Sequence, residues 1–159
     1  MDFVVISDSH IAPNRPCDPY WSKLGDYVVK NKPKYIIHLG DVACLDSLAH
    51  FTNLRGDFTT DEELACVVKH LRAFEDKILR EQDKNRYDKK KIYRPIKVLC
   101  LGNHDVRKDC TEIERIFKEW GWVVVPYLEP ITIEGLTFCH CMPKKNSDLM
   151  CTTAEELLL

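Results

Sequence analysis

The sequence has almost no net charge: 23 lysines and arginines stand against 25 aspartates and glutamates, a formal −2 at pH 7 with the histidines neutral. With an isoelectric point near 6.3, this excludes a global electrostatic pull toward nucleic acid or an anionic membrane, so any polyanion site must be local. Long apolar runs are missing too. The amino-terminal MDFVVISDSH has an Asp at position two and one short apolar run, which is neither a signal peptide nor a membrane span and implies a cytoplasmic protein. None of the eight cysteines forms a CxxC pair. That removes the strongest spacing for structural zinc, and without a secretory signal a reduced interior is expected. Cys66 and Cys100 lie within apolar patterns, where a free thiol behaves as a small hydrophobe. Internal repeats and low-complexity segments are absent.

What is present is enough for a core. A chain of 159 residues, 45% hydrophobic, suits a single domain over 1–159 that buries about 70% of its unfolded surface. Short β-branched runs at 3–7 (FVVIS), 35–39 (YIIHL), 97–101 (KVLCL) and 122–125 (WVVV) predict buried strands in a sheet covered on both faces. Between the first two, Trp21, Leu24, Val28 and Val29 recur at helical spacing and stop before Pro33. Between the last two, Thr111 with Glu114 three residues on predicts a capped helix ending at Gly121. Both read as crossover helices of βαβ units, and the class is α/β. ITIEGLTFCH predicts two strands joined through Glu134 and Gly135. A helical insertion at about 55–95 carries Leu64, Val67, Val68, Leu71, Phe74 and Ile78 on one stripe, a long amphipathic helix.

The chemistry-bearing residues follow the strands. Asp8, Ser9 and His10 come after the first, Gly40 and Asp41 after the second, Gly102, Asn103, His104 and Asp105 after the third, and His140 ends LTFCH. In open α/β sheets, ligands bind outside the carboxyl ends of the strands, so these groups converge although scattered in sequence. Carboxylates, imidazoles and an amide oxygen suit divalent ions such as Mn, Fe or Zn. Gly40 and Gly102 let the backbone turn so that the next side chain points inward.

Asp-x-His, Gly-Asp, Gly-Asn-His-Asp and a lone His, in that order behind four strands, resembles the calcineurin-like metallophosphoesterase family along nearly the whole chain. The resemblance implies a metallophosphoesterase-type layered sheet with flanking helices. It implies two divalent metal ions: positions matching Asp8 and His10 on one, Asp41 bridging both, Asn103 and His140 on the second. It places His104 against the substrate phosphate and leaving oxygen as a catalytic side chain, with Asp105 as the residue that orients its imidazole. The implied activity is hydrolysis of a phosphomonoester or phosphodiester. Two cations roughly 3.5–4 Å apart hold a phosphoryl oxygen and lower the pKa of a water between them.

The family ends its site with Gly-His-x-His, and none of the six histidines here follows His140, so each metal is expected to be one ligand short. The ending CTTAEELLL has Thr152 or Thr153 with a Glu three residues later and stops on three leucines. It reads as a helix cut short and a fold incomplete at its carboxyl end. A fragment, a naturally truncated gene and one part of a split protein all remain open. The alternative to an enzyme is an impaired phosphate- or metal-binding module acting by association.

Other residues read more plainly. His38 is expected in the core, and His50 and His70 on helix surfaces or grooves. Asp46 either orients a ligand or caps the helix SLAHF. Cys139 and Cys141 alternate with His140 along a strand and so face away from it. The basic run with Lys84, Arg86, Lys89, Lys90, Lys91 and Arg94, interleaved with Tyr87 and Tyr93, reads as a solvated helix end or as a nucleic-acid surface on a substrate-facing cap. Oligomeric state is not legible.

Overall fold

Four β-branched segments pair in parallel as β1 (Phe3–Ile6), β2 (Tyr35–His38), β3 (Ile96–Cys100) and β4 (Val123–Val125), in the spatial order β1-β2-β3-β4. Their registers set Phe3 beside Tyr35, Tyr35 beside Ile96 and Val98 beside Val123. The computed structural model that shows this describes residues 2–14, 19–49, 58–89 and 92–141. His50, Lys90, Lys91 and the expected helix at the carboxyl end lie outside them.

Three helices supply the connections: α1 (Tyr20–Asn31), α2 (Thr60–Lys84) and α3 (Glu112–Glu119). Each crossover advances one strand in the same direction, so a constant handedness leaves all three on one face of the sheet. The core there joins Ile6, Ile36 and Leu99 to Trp21 and Val28 of α1, Val67, Leu71, Phe74 and Ile78 of α2, and Ile113, Ile116 and Phe117 of α3. α1 approaches α2 closely because a Cβ on Gly25 would lie 2.8 Å from Lys77 Cγ. α1 ends where Lys32 turns left-handed at φ 47 and its N–H bonds Val28 O, just before Pro33; this is an αL cap.

α2 starts at a capping box that sequence periodicity did not reveal: Thr59 and Glu62 bond each other's backbone N–H. The expected box on α3 is not formed. Thr111 is the N-cap but sits at φ −106, ψ 0 and makes no side-chain cap bond, because a cap hydroxyl reaches back only from an extended backbone. His70, expected on a surface or groove, is 3% exposed, since it shares the core-facing stripe of α2 with Val67, Leu71 and Phe74.

The second face is covered by a different device. An antiparallel hairpin, β5 (Ile131–Ile133) and β6 (Leu136–Phe138), turns through Glu134 and Gly135, both at positive φ, as a two-residue hairpin turn requires. Ile131, Ile133 and Phe138 pack on Tyr35, Ile37, Val98, Cys100 and Val125. Glu134 is held in its left-handed conformation by Lys34 Nζ at 2.6 Å and Tyr35 Oη at 2.9 Å. On the helix face, Glu75, 2% exposed, accepts from Lys97 Nζ at 2.7 Å and Trp122 Nε1 at 2.7 Å. This buried pair locks α2 onto β3 and onto the start of β4.

A candidate metal centre at the carboxyl rim of the sheet

Beyond the sheet proper, the loops after β1 and β2 keep running side by side. His10 N–H bonds Asp41 O at 2.9 Å and Ile11 N–H bonds Val42 O at 2.8 Å. This short parallel extension carries Asp8 and His10 to Asp41. His10 and Asp41 are themselves left-handed, at φ 43 and 48, a conformation that His and Asp enter more easily than most residues.

The loops after β2 and β3 meet through glycines. A Cβ on Gly40, at φ 98, would lie 2.5 Å from Gly102 N and 2.6 Å from Cys100 O. A Cβ on Gly102 would overlap Asp41 Oδ1 and the Asp41 amide nitrogen. Gly40 therefore serves a turn, whereas Gly102 serves clearance: its missing side chain is where the Asp41 carboxylate lies.

Asp41 is 5% exposed. Its Oδ1 accepts the His104 backbone N–H at 2.9 Å; its Oδ2 lies 3.8 Å from His10 Nε2 and 3.6 Å from His140 Nε2. His140 Nδ1 is 2.7 Å from Leu39 O. A carbonyl only accepts, so Nδ1 carries a proton and Nε2 is the ring nitrogen turned toward the site. That nitrogen faces Asn103 Oδ1 at 3.2 Å and Asp41 Oδ2. With Nε2 deprotonated, as metal ligation requires, these three atoms form a donor set that a divalent cation satisfies. Asp8 Oδ1 stands 4.0 Å from His140 Nδ1, with its side chain 55% exposed.

The ligand atoms sort into two groups, His10–Asp41–His104 and Asp8–Asp41–His140, each with its atoms within 4.8 Å of one another. Asp41 is common to both. The sequence expectation sets Asp8 beside His10 on one metal; in these groups Asp8 stands with His140, and His10 stands with His104, their rings meeting edge to face at 4.7 Å.

The site has its family at this point: a sequence-family model described as calcineurin-like phosphoesterase matches residues 1–150. The chain belongs to the calcineurin-like phosphoesterase family. Among curated proteins, none matches it. The α/β class and the parallel sheet flanked by helices agree with this membership.

Two residues of this family member do something other than the sequence suggested. Asp105, 1% exposed, gives Oδ1 to the N–H of Val42 at 2.9 Å and of Ala43 at 3.4 Å, and Oδ2 to the N–H of Gly102 at 2.9 Å. It ties the two loops together, and the expected bond to the His104 imidazole is not among its hydrogen bonds. Burial pushes its carboxyl up to about 6, against the pull of the Gly102 N–H. Asp46 neither touches a candidate ligand nor caps a helix through its side chain; it opens a single helical turn at Asp46–Leu48 and its carboxylate meets Arg107 at 3.3 Å.

His38 is fully buried as expected, stacked on Trp21. Gly40 N–H donates to its Nδ1 at 3.1 Å, so Nε2 carries the proton toward Ser9 Oγ at 2.8 Å. Burial lowers its pKa to about 3. β6 ends at Phe138, so strand alternation does not govern Cys139, His140 and Cys141; among the described residues, no candidate metal group includes a cysteine. Burial raises Cys100 to about 11, in keeping with a packing role.

The basic run sits elsewhere. α2 runs antiparallel to the strands: Glu63 near its start bonds the loop after β2, while Gln82 near its end bonds Tyr93 O, and Tyr93 Oη bonds Pro33 O just before β2. Arg86 and Arg94 therefore lie at the edge opposite the metal residues, around an open groove of about 580 Å³ that also contains Asp76, Arg80 and Asp83. They do not form a substrate-facing cap. No helix among the described residues is long and apolar enough to cross a membrane.

Sequence reasoning missed Arg107 and Glu63. Arg107 stands two residues beyond Asp105 in GNHDVR, a basic residue in a site loop, which was the available signal. Glu63 had none, since its partners are backbone groups of a distant loop.

Proposed function

We propose that this protein is a divalent-metal-dependent phosphoesterase that hydrolyses a phosphomonoester or phosphodiester at the carboxyl rim of its sheet. The observation that carries the reading is the position of Asp41, shared by two groups of ligands. Asp8, His10, Asp41, Asn103 and His140 would hold the cations, with Mn, Fe and Zn all compatible with this donor set. Bound there, such cations supply Lewis-acid polarisation of a phosphoryl oxygen and acidify a water toward neutral pH.

The residues do the rest. His104 N–H and the Gly102 clearance fix the Asp41 carboxylate, so its orientation is set before any ligand arrives. Asp105 holds the loops that carry Asp41 and Asn103 at a fixed separation. His104 is not assigned as a ligand, because both of its ring nitrogens are already engaged, by Cys44 O and Arg107. Its place against the substrate and leaving oxygen is kept from the family resemblance, and reaching that oxygen would require Nε2 to exchange its Arg107 contact.

A nucleotide or nucleic acid is one phosphodiester that this reading admits, with its contacts at the rim rather than at the distal arginines. A second reading, metal or phosphate binding without turnover, is favoured by the small number of ligands among the described residues: with His104 set aside, one candidate group keeps His10 and Asp41, and the other offers Asp8, Asp41 and His140.

The test is hydrolysis of bis(p-nitrophenyl) phosphate by protein loaded with Mn, beside Asp41→Asn and His104→Gln. Loss of turnover in both variants, and of Mn binding in Asp41→Asn alone, supports the enzyme. Tight Mn binding by a wild type no faster than His104→Gln leaves the binding role and ends the enzymatic one.

A further inference from the structure

His104 is gripped at both ring nitrogens. Its Nδ1 lies 2.9 Å from Cys44 O, and its Nε2 lies 3.0 Å from Arg107 Nη2. A carbonyl cannot donate and a guanidinium cannot accept, so the ring is neutral, protonated on Nδ1, with Nε2 receiving the Arg107 proton. The opposite tautomer would set two donors against each other at Nε2 and two acceptors at Nδ1.

Arg107 is held in turn. Its Nη1 donates to Cys44 O at 2.8 Å, to Leu45 O at 3.3 Å and to Asp46 Oδ1 at 3.3 Å. Leu45 sits at φ 46, a costly conformation for a branched side chain that persists only where its surroundings enforce it. Glu63 enforces it from α2: 1% exposed, it accepts from Asp46 N–H at 2.9 Å, Ser47 N–H at 3.1 Å and Ser47 Oγ at 2.6 Å. A buried carboxylate therefore braces a loop whose carbonyls brace a guanidinium, and the guanidinium braces the imidazole.

We infer that Arg107 is a positioning residue of this site: clamped by residues 44–46, it holds the Nε2 edge of His104 and so fixes the ring plane, while Cys44 O sets the proton on Nδ1. The inference rests on the phosphoesterase reading for its consequence, since a fixed ring matters most where the phosphorus–oxygen bond to the leaving group breaks. The clamp itself is independent of turnover. Arginine suits the task because one planar fork reaches the Cys44 carbonyl and Nε2 together, which an ammonium does not.

The decisive measurement is the ¹⁵N spectrum of the imidazoles in metal-free protein, with His104 assigned by its absence in His104→Gln. The wild type is expected to show the proton on Nδ1 and a hydrogen-bonded Nε2, and Arg107→Ala to shift the Nε2 resonance as that bond is lost, with Nδ1 still protonated against Cys44 O. With Mn and an alkyl-leaving-group phosphodiester, Arg107→Ala is expected to lower kcat about 10- to 100-fold, as loss of a supporting residue does elsewhere, with KM nearly unchanged. The Arg107→Ala, His104→Gln double variant should be no slower than His104→Gln alone. An unchanged Nε2 resonance in Arg107→Ala, or losses that multiply in the double variant, overturns the inference. If no metal or ester gives turnover in the wild type, the phosphoesterase reading falls while the spectrum still decides the clamp. Should Arg107→Ala fail to fold, Arg107→Lys is read by the same spectrum.

Discussion

The backbone N–H of His104 donates to Oδ1 of Asp41 across 63 residues of chain, at 2.9 Å. One carboxylate oxygen is thereby anchored, and the other is left facing the imidazoles of His10 and His140. A carboxylate so oriented in advance loses little rotational freedom when a cation arrives, the general basis of preorganised sites.

Gly102→Ala should disable this arrangement, because the new methyl would overlap both the Asp41 carboxylate and the Asp41 backbone nitrogen and force the two loops apart. Mn affinity by titration calorimetry is expected to drop by at least about 10-fold, in protein whose far-ultraviolet spectrum shows that it is folded. Wild-type affinity in this variant would show that the Asp41 carboxylate lies elsewhere.

Asp105→Asn keeps the shape of the loop tie but turns one acceptor into a donor among three backbone N–H groups. Urea unfolding should show a loss of about 1–3 kcal/mol, the cost of an unsatisfied buried polar contact. A variant as stable as the wild type would remove Asp105 from its role in joining the loops.

Acid should weaken the metal-free fold through His38. Burial holds its pKa at about 3, while the unfolded chain protonates near 6.5. The folded state thus binds fewer protons: the contribution of His38 to stability is whole above 6.5 and is lost as pH falls toward 3, by about 1.4 kcal/mol per pH unit. Between pH 6.5 and 5 the buried Asp105 carboxyl, pushed up to about 6, titrates with the opposite sign in both proteins, so the His38 contribution is read as the difference: acid should cost the wild type more stability per pH unit than His38→Gln. Equal slopes would mean that the ring is charged when folded.

Arg86→Glu with Arg94→Glu should leave turnover of a small aryl phosphodiester within about twofold, since charges at the far edge of the sheet are screened beyond a Debye length of roughly 10 Å. A tenfold loss would place these arginines in reach of the substrate after all.

Much of the fold was readable because its signals are local. The runs at 3–7, 35–39, 97–101 and 122–125 became β1 to β4 to within a residue at each end, as continuous apolar runs in a parallel sheet covered on both faces predict. Glu134 and Gly135 announced the hairpin turn by composition, and the stripe on α2 announced its buried side. The failures were equally physical. Thr111 had the right spacing for a capping box and the wrong backbone angles, while His70 was judged by its polarity when its place on the helix stripe had already buried it.

From the sequence alone came the family likeness, the α/β class and the order of candidate ligands along the chain, because strand ends and short motifs are written in consecutive residues. Only the tertiary structure decided that Asp8 turns toward His140, that Asp105 binds backbone and not the His104 ring, and that Arg107 grips His104 from a loop braced by Glu63. Those pairings depend on left-handed turns at His10, Asp41 and Leu45 and on contacts between loops far apart in the chain, which no local period or spacing encodes.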